Sequence, residues 1–176
     1  MASPDPVTQG AAYQRQLLDL LGADDPVAVQ EATLGRLEEL LEDARADLRR
    51  RPAPHEWSLL ELVGHLVDAE IVVSGRYRWA LSHDRPPLLG YDQDLWVDKL
   101  AHNDDETEAL LPVFAALRAA NIRLWQRSSA QARARVAIHA ERGAESYDLM
   151  FRMLAGHDRF HLNQMQSTLQ QLRAAT

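Results

Sequence analysis

The sequence predicts an all-α protein: a four-helix bundle with an extra short N-terminal helix. Three observations carry this. Apolar residues recur every three or four positions along four long segments, the period of a helix face turned to a core. No run alternates convincingly enough to form a strand of ordinary length. Capping residues, and every proline but Pro112, fall outside or at the ends of those segments, where helices begin and end.

The short first helix covers about residues 8–21, with Tyr13, Leu17, Leu18 and Leu21 on one face and Gly22 ending it. Asp25 followed by Pro26 is an N-cap and first-turn pair. The first bundle helix follows over 28–50, its stripe running through Leu34, Leu37, Leu40, Leu41, Ala44 and Leu48 until RPAP at 51–54 breaks it. Ser58 opens the second, over 58–82, and Glu61 three places on completes a capping box. Residues 83–103 are rich in loop formers and hold Pro86, Pro87, Gly90, Tyr91 and Trp96; a loop of that length in a compact domain suggests a functional lid. The third bundle helix spans 105–127, and Pro112 implies a later start or a kink. Residues 128–146 form a connector in which Ala134, Val136 and Ile138 alternate over a short extended piece. Ser146 caps the last helix, 146–173.

At 176 residues the chain reads as one domain, 1–176, able to bury a core without staples. Its 46% hydrophobic and 26% charged residues are ordinary for a globular protein. A formal net charge of −7 argues against a nucleic-acid partner, which would need concentrated Lys and Arg. The one densely basic stretch, Arg49 to Arg51, reads as a solvated helix end. Without cysteine there are no disulfides, thiolate ligands or protein thiol nucleophile. The start, MASPDPVTQG, has neither a basic nor an apolar leader segment, and no apolar run reaches the roughly 18 residues of a membrane span. A cytoplasmic protein with no membrane partner is expected.

The stretch LAGHDRFHLNQM (154–165) places His157 and His161 one helical turn apart on one face. Two imidazoles so spaced can close on one ion, yet a zinc-like metal needs a third protein ligand. Among seven histidines a pair at this spacing arises readily by chance, so two solvent-facing side chains remain an alternative. The candidate third ligand is His65 in VGHLVDAE, on the apolar side of its helix with Leu62, Leu66 and Ala69; its bland reading is a hydrogen-bonded core histidine. Three imidazoles from two helices would leave an open coordination position, the layout of a catalytic site. They suit zinc, nickel, copper or iron, with zinc or nickel the first expectation.

HEWSLLELVGHLVDAE (55–70) and GHDRFHLNQM (156–165) together resemble the DinB-like (YfiT-type) family. The resemblance rests on Trp57-Ser58, on His65-Leu66 with Asp68 and Glu70, on His157, His161 and Gln164, and on Gly143 before the capping Ser146. It implies up-down-down-up connectivity and a divalent metal site on His65, His157 and His161. It also implies a homodimer. Relatives that transfer thiols suggest S-transferase chemistry with a low-molecular-weight thiol and an electrophilic substrate. A metal-dependent hydrolase and a non-catalytic, stress-related metal-binding bundle are the alternatives.

Several neighbours carry two readings each. Glu61 can accept the free N–H of a ligand histidine or serve only the capping box. Asp68 can orient a ligand or act as a base, or be an exposed helix carboxylate. Gln164 can orient a ligand or touch substrate, or be a polar bundle-end residue. Tyr91, Asp92 and Trp96 can cover the site or simply anchor their loop. Asp158 and Arg159 are expected to point away from the metal face, into surface or dimer roles. His55, His83, His102 and His139 are expected at the surface, with His139 the least secure.

Overall fold

Three cap residues, Asp25, Ser58 and Ser146, set where three of the long helices begin. The computed structural model describes residues 8–175; the start read as lacking a leader lies largely outside them. Helix α1 (Gly10–Leu21) ends at Gly22, whose φ of 62° suits a residue without Cβ. Asp25 caps α2 (Pro26–Asp43) by accepting from the Val27 N–H, and Pro26 occupies its first turn. Ser58 and Glu61 form both hydrogen bonds of a capping box on α3 (Leu59–Ser82). Ser146 accepts from the Leu149 N–H at the start of α7 (Tyr147–Ala174).

Helix α2 stops seven residues before the expected Arg50. Beyond Ala44 the chain tightens into turns, with the Asp47 N–H on the Ala44 carbonyl and the Arg50 N–H on the Asp47 carbonyl. Leu48 still packs on the core, so the apolar stripe that suggested helix outlasts the helix itself. Helix α5 (Thr107–Gln126) starts two residues later than expected and carries Pro112 inside it.

The loop-rich stretch and the connector contain more regular structure than expected, although the extended piece expected around Val136 and Ile138 is present as a strand. Residues 83–103 hold strand β1 (Pro87–Leu88), helix α4 (Gln93–Lys99, capped by Asp92) and the start of a 3-10 turn at His102–Asp104. The connector holds helix α6 (Ala130–Arg133) and strands β2 (Val136–His139) and β3 (Gly143–Ser146). These strands make a small sheet of order β1-β2-β3, parallel then antiparallel, at one end of the bundle.

The bundle is α2, α3, α5 and α7, and side-chain bonds fix its directions. Glu70 and Ser74 on α3 meet Arg118 and Asn121 on α5 in rising order, so those helices are parallel. Gln30 and Thr33 on α2 likewise meet Phe151 and Asp158 on α7. Helices α3 and α7 run antiparallel, since Tyr77 packs on Tyr147 while His65 meets His161. The connectivity is therefore up-down-down-up, with α1 laid along α7. No helix among the described residues is long and apolar enough to cross a membrane.

Two apolar clusters fill the bundle, one around Leu37, Leu60, Phe114 and Met165 and one around Tyr77, Trp125, Tyr147 and Phe151. A buried polar network joins all four helices. Arg118 donates to Glu70 at 2.6 Å, to the Gln30 carbonyl at 3.1 Å, and through both terminal nitrogens to Asp158. Thr33 donates to Asp158, and Asn121 to Glu70 and Ser74. Asp158 is thus fully buried, contrary to the surface role expected of it. It directly follows His157, and the rotation of about 100° per residue turns it to a different face, into the bundle, where Arg118 compensates its charge. Arg159 does reach outward, donating to the Leu20 and Leu21 carbonyls at the end of α1 and pairing with Asp24.

Candidate metal centre

Helix α3 turns His65 inward in its second turn, beside Leu62, Leu66 and Ala69, and α7 turns His157 and His161 toward it. All three are buried. Their Nε2 atoms lie 3.1 Å from one another on every side of a triangle. Two nitrogens bound to one cation at 2.0–2.1 Å stand about 3.0–3.4 Å apart, depending on the angle between them, so the triangle fits a shared ion.

The chemistry of the donors agrees with that spacing. The His161 Nδ1 is 2.9 Å from Gln164 Oε1, an atom that can only accept. The ring proton therefore sits on Nδ1, and Nε2 presents a lone pair to the other two rings. Burial, with the neighbouring His161 and His102, holds His65 well below the usual imidazole pKa. Burial and the other two rings do the same to His157. Burial brings His161 down to about 4, although Gln164 opposes the shift. Three neutral nitrogens aimed at one point, with protons disfavoured, form a group able to hold a metal ion.

Aromatic rings hold this cluster in place. Trp57 lies 5.0 Å from His65 between ring centroids and stacks at 16° on His161, while Phe160 meets His161 edge-on. Trp57 entered the sequence reading only as part of a motif. Its position immediately before the cap, two helical turns ahead of His65, was the available signal.

The other candidates separate on contact. Glu61 is committed to the Ser58 N–H at 2.8 Å and to Arg51, so the capping reading holds and no bond to a ligand histidine is made. Asp68 is buried, not exposed, and its Oδ2 lies 2.7 Å from His102 Nε2. His102 is buried as well, with Asp105 on its other nitrogen at 2.8 Å, so it is not the surface histidine expected. It fits because Gly64 leaves room: a Cβ there would collide with the His102 ring. His139 is also buried, paired into β2. His55 and His83 are exposed, as expected. Of the basic run, Arg49 and Arg50 pair with Glu106 and Asp47 at the surface, whereas Arg51 reaches the buried Glu61.

A cavity opens beside His157, between α3 and α7 and under α1, with Tyr91 in its wall. Trp96 packs behind Tyr91, 4.6 Å between ring centroids, instead of on the cavity. Asp92, the third residue expected to cover the site, caps α4.

A family model described as the DinB superfamily matches residues 27–165. Among solved structures, the chain is similar to YfiT from Bacillus subtilis, described as a probable metal-dependent hydrolase with an unusual four-helix bundle topology. That likeness has a TM-score of 0.77 at 16% identity and covers 84% of this chain and 85% of YfiT. No curated protein matches significantly.

Proposed function

The chain belongs to the DinB superfamily, and on that premise we propose that it is a metal-dependent enzyme whose divalent ion, zinc or nickel, is held by His65, His157 and His161. The observation that carries this is the triangle of Nε2 atoms at 3.1 Å with Gln164 fixing one tautomer. When bound, such an ion acts as a Lewis acid that ionises a thiol or water near neutral pH. His161 is oriented for that task by Gln164, and Trp57 and Phe160 keep bulk water off the imidazoles. The proposal extends to a cytoplasmic homodimer through the family resemblance.

The reaction favoured is thiol S-transfer, with a low-molecular-weight thiol and an electrophile as co-substrates. Its support is chemical. Glu61, Asp68, Glu70 and Asp158 are all engaged by Arg51, His102 or Arg118. None of these carboxylates is left to act as a general base, and a thiol, far more acidic than water, needs none. The sulfur must come from a co-substrate because the chain has no cysteine. Hydrolysis is the second reading, favoured by the description of YfiT.

Metal analysis tests the centre. Wild type retains about one ion per chain, while His65→Ala and His157→Ala retain none and keep their helical circular dichroism. Unchanged metal content in both variants overturns the assignment. A conjugation screen pairing small thiols with a haloarene or bimane, run beside an ester and amide panel, tests the reaction. Turnover confined to the ester and amide panel replaces S-transfer with hydrolysis.

A further inference from the structure

The cavity beside His157 has an unusual far end. Its apolar walls come from Ala69 and Val73 on α3 and from Met150, Met153 and Leu154 on α7. Arg76 lies on the same α3 stripe as His65, eleven residues on, or roughly 16 Å of helix axis. Arg76 is only 8% exposed, and its hydrogen bond is to the Leu89 carbonyl at 2.6 Å. Unlike Arg118, it has no carboxylate in ion-pair contact among the described residues. The neighbouring Arg142 is already neutralised by Glu145, at 2.5 and 3.2 Å. Glu141, the other acid on the lining, is exposed at the rim. Burial and Arg142 outweigh the attraction that Glu145 and Glu141 exert on Arg76 from beyond contact distance. A buried guanidinium without a contacting carboxylate costs several kcal/mol unless something compensates it.

His139 supplies a second donor in the same cavity. Its Nδ1 accepts from the Glu141 N–H at 3.2 Å, which leaves the proton on Nε2. That Nε2 is buried with no partner among the described residues. Burial, with Arg142 and Arg76 nearby, lowers the pKa of His139 to about 3, so the ring is a neutral donor at physiological pH.

We propose that this end of the cavity is a carboxylate-binding subsite, with the Arg76 guanidinium and the His139 Nε2–H as its donors. A guanidinium fork matches a carboxylate in shape as well as charge. The ligand is then a small amphipathic organic acid, its carboxylate at Arg76 and its apolar chain directed along the walls toward His157. Resting on the proposed function, this makes one co-substrate an organic acid whose reacting group lies at the end opposite its carboxylate.

The test titrates straight-chain carboxylates, propanoate to octanoate, into metal-stripped full-length protein, followed by saturation-transfer NMR. Primary amides and alkyl phosphates of matching length run alongside. The carboxylate of best length is expected to bind roughly tenfold to a hundredfold more tightly than its amide, the advantage of hydrogen bonds to a charged group. Arg76→Gln removes that advantage, Arg76→Lys keeps part of it, and His65→Ala leaves it intact. Equal binding of acid and amide to wild type overturns the subsite, whether or not the variants fold. So does an undiminished preference in Arg76→Gln, a preference lost in His65→Ala, or tighter binding of the phosphates. Because the protein is metal-stripped, a failure of the metal reading is scored separately by the metal analysis.

Discussion

Gln164→Leu isolates the orienting role of one hydrogen bond. Gln164 sits one turn beyond His161 and accepts from its Nδ1 at 2.9 Å, while the Nδ1 atoms of His65 and His157 are buried without a partner among the described residues. Removing a partner that orients a metal-bound histidine typically costs 10- to 100-fold in metal affinity, or about 1.4–2.7 kcal/mol. Gln164 is only half-buried, so the metal-free protein should lose little stability. With saturating metal the bound form should melt lower by about 3–10 °C, taking about 2–4 °C per kcal/mol for a chain of this size. Competition against a chromophoric chelator measures the affinity, and thermal melts with and without metal measure the rest. Gln164→Glu should bind at least as tightly as wild type, because a carboxylate accepts more strongly from Nδ1–H. Equal affinity in wild type and Gln164→Leu would refute the argument, since Nε2 would then present its lone pair without help.

The buried network supplies a larger perturbation. Arg118→Ala leaves Glu70 and Asp158 as uncompensated buried carboxylates, expected to cost about 3–5 kcal/mol. Urea denaturation measures the loss, and a change under about 1 kcal/mol would mean that water or rearrangement replaces the guanidinium. Acidity acts on metal-free protein with two opposite signs. His161 titrates near 4 in the fold and near 6.5 when unfolded, so the unfolded chain takes the proton first. Stability therefore falls as pH drops from about 6.5 toward 4, by about 3 kcal/mol from this residue. His102 behaves in reverse: burial opposes its charge, but Asp105 and Asp68 outweigh burial and raise its pKa. Its contribution is complete below about 6.5 and is lost as pH rises through the folded value. His102→Gln should flatten the alkaline decline in urea midpoints between pH 6 and 9, and an unchanged decline would remove His102 as its source.

The parts of this protein legible from sequence are those set by local periodicity. Ser58, Glu61 and Ser146 announce their helices because capping is decided within four residues. His65, His157 and His161 could be joined because each lies on the apolar stripe of its own helix, and stripes must face one another in a bundle. Long-range polar contacts leave no such trace. Arg118 looks like any arginine in an alanine-rich helix, and only the three-dimensional meeting with Glu70 and Asp158 identifies it. The same holds for Asp68 and His102, brought together from 34 positions apart.

Two glycines show how such contacts can be anticipated. Gly64 and Gly156 each lie inside a helix, where glycine costs about 1 kcal/mol relative to alanine. Each also directly precedes a histidine of the cluster. A Cβ on Gly64 would collide with the His102 ring, and one on Gly156 would collide with the backbone of Leu17 in α1. The two gaps therefore admit the 3-10 turn that carries His102 and the helix that roofs the cavity, each beside the imidazole it helps enclose. A mid-helix glycine next to a candidate ligand thus marks where a covering segment must dock. In this chain that rule identifies as structured cover two segments, α1 and residues 102–104, that hydrophobic periodicity alone leaves as an appendage and a loop.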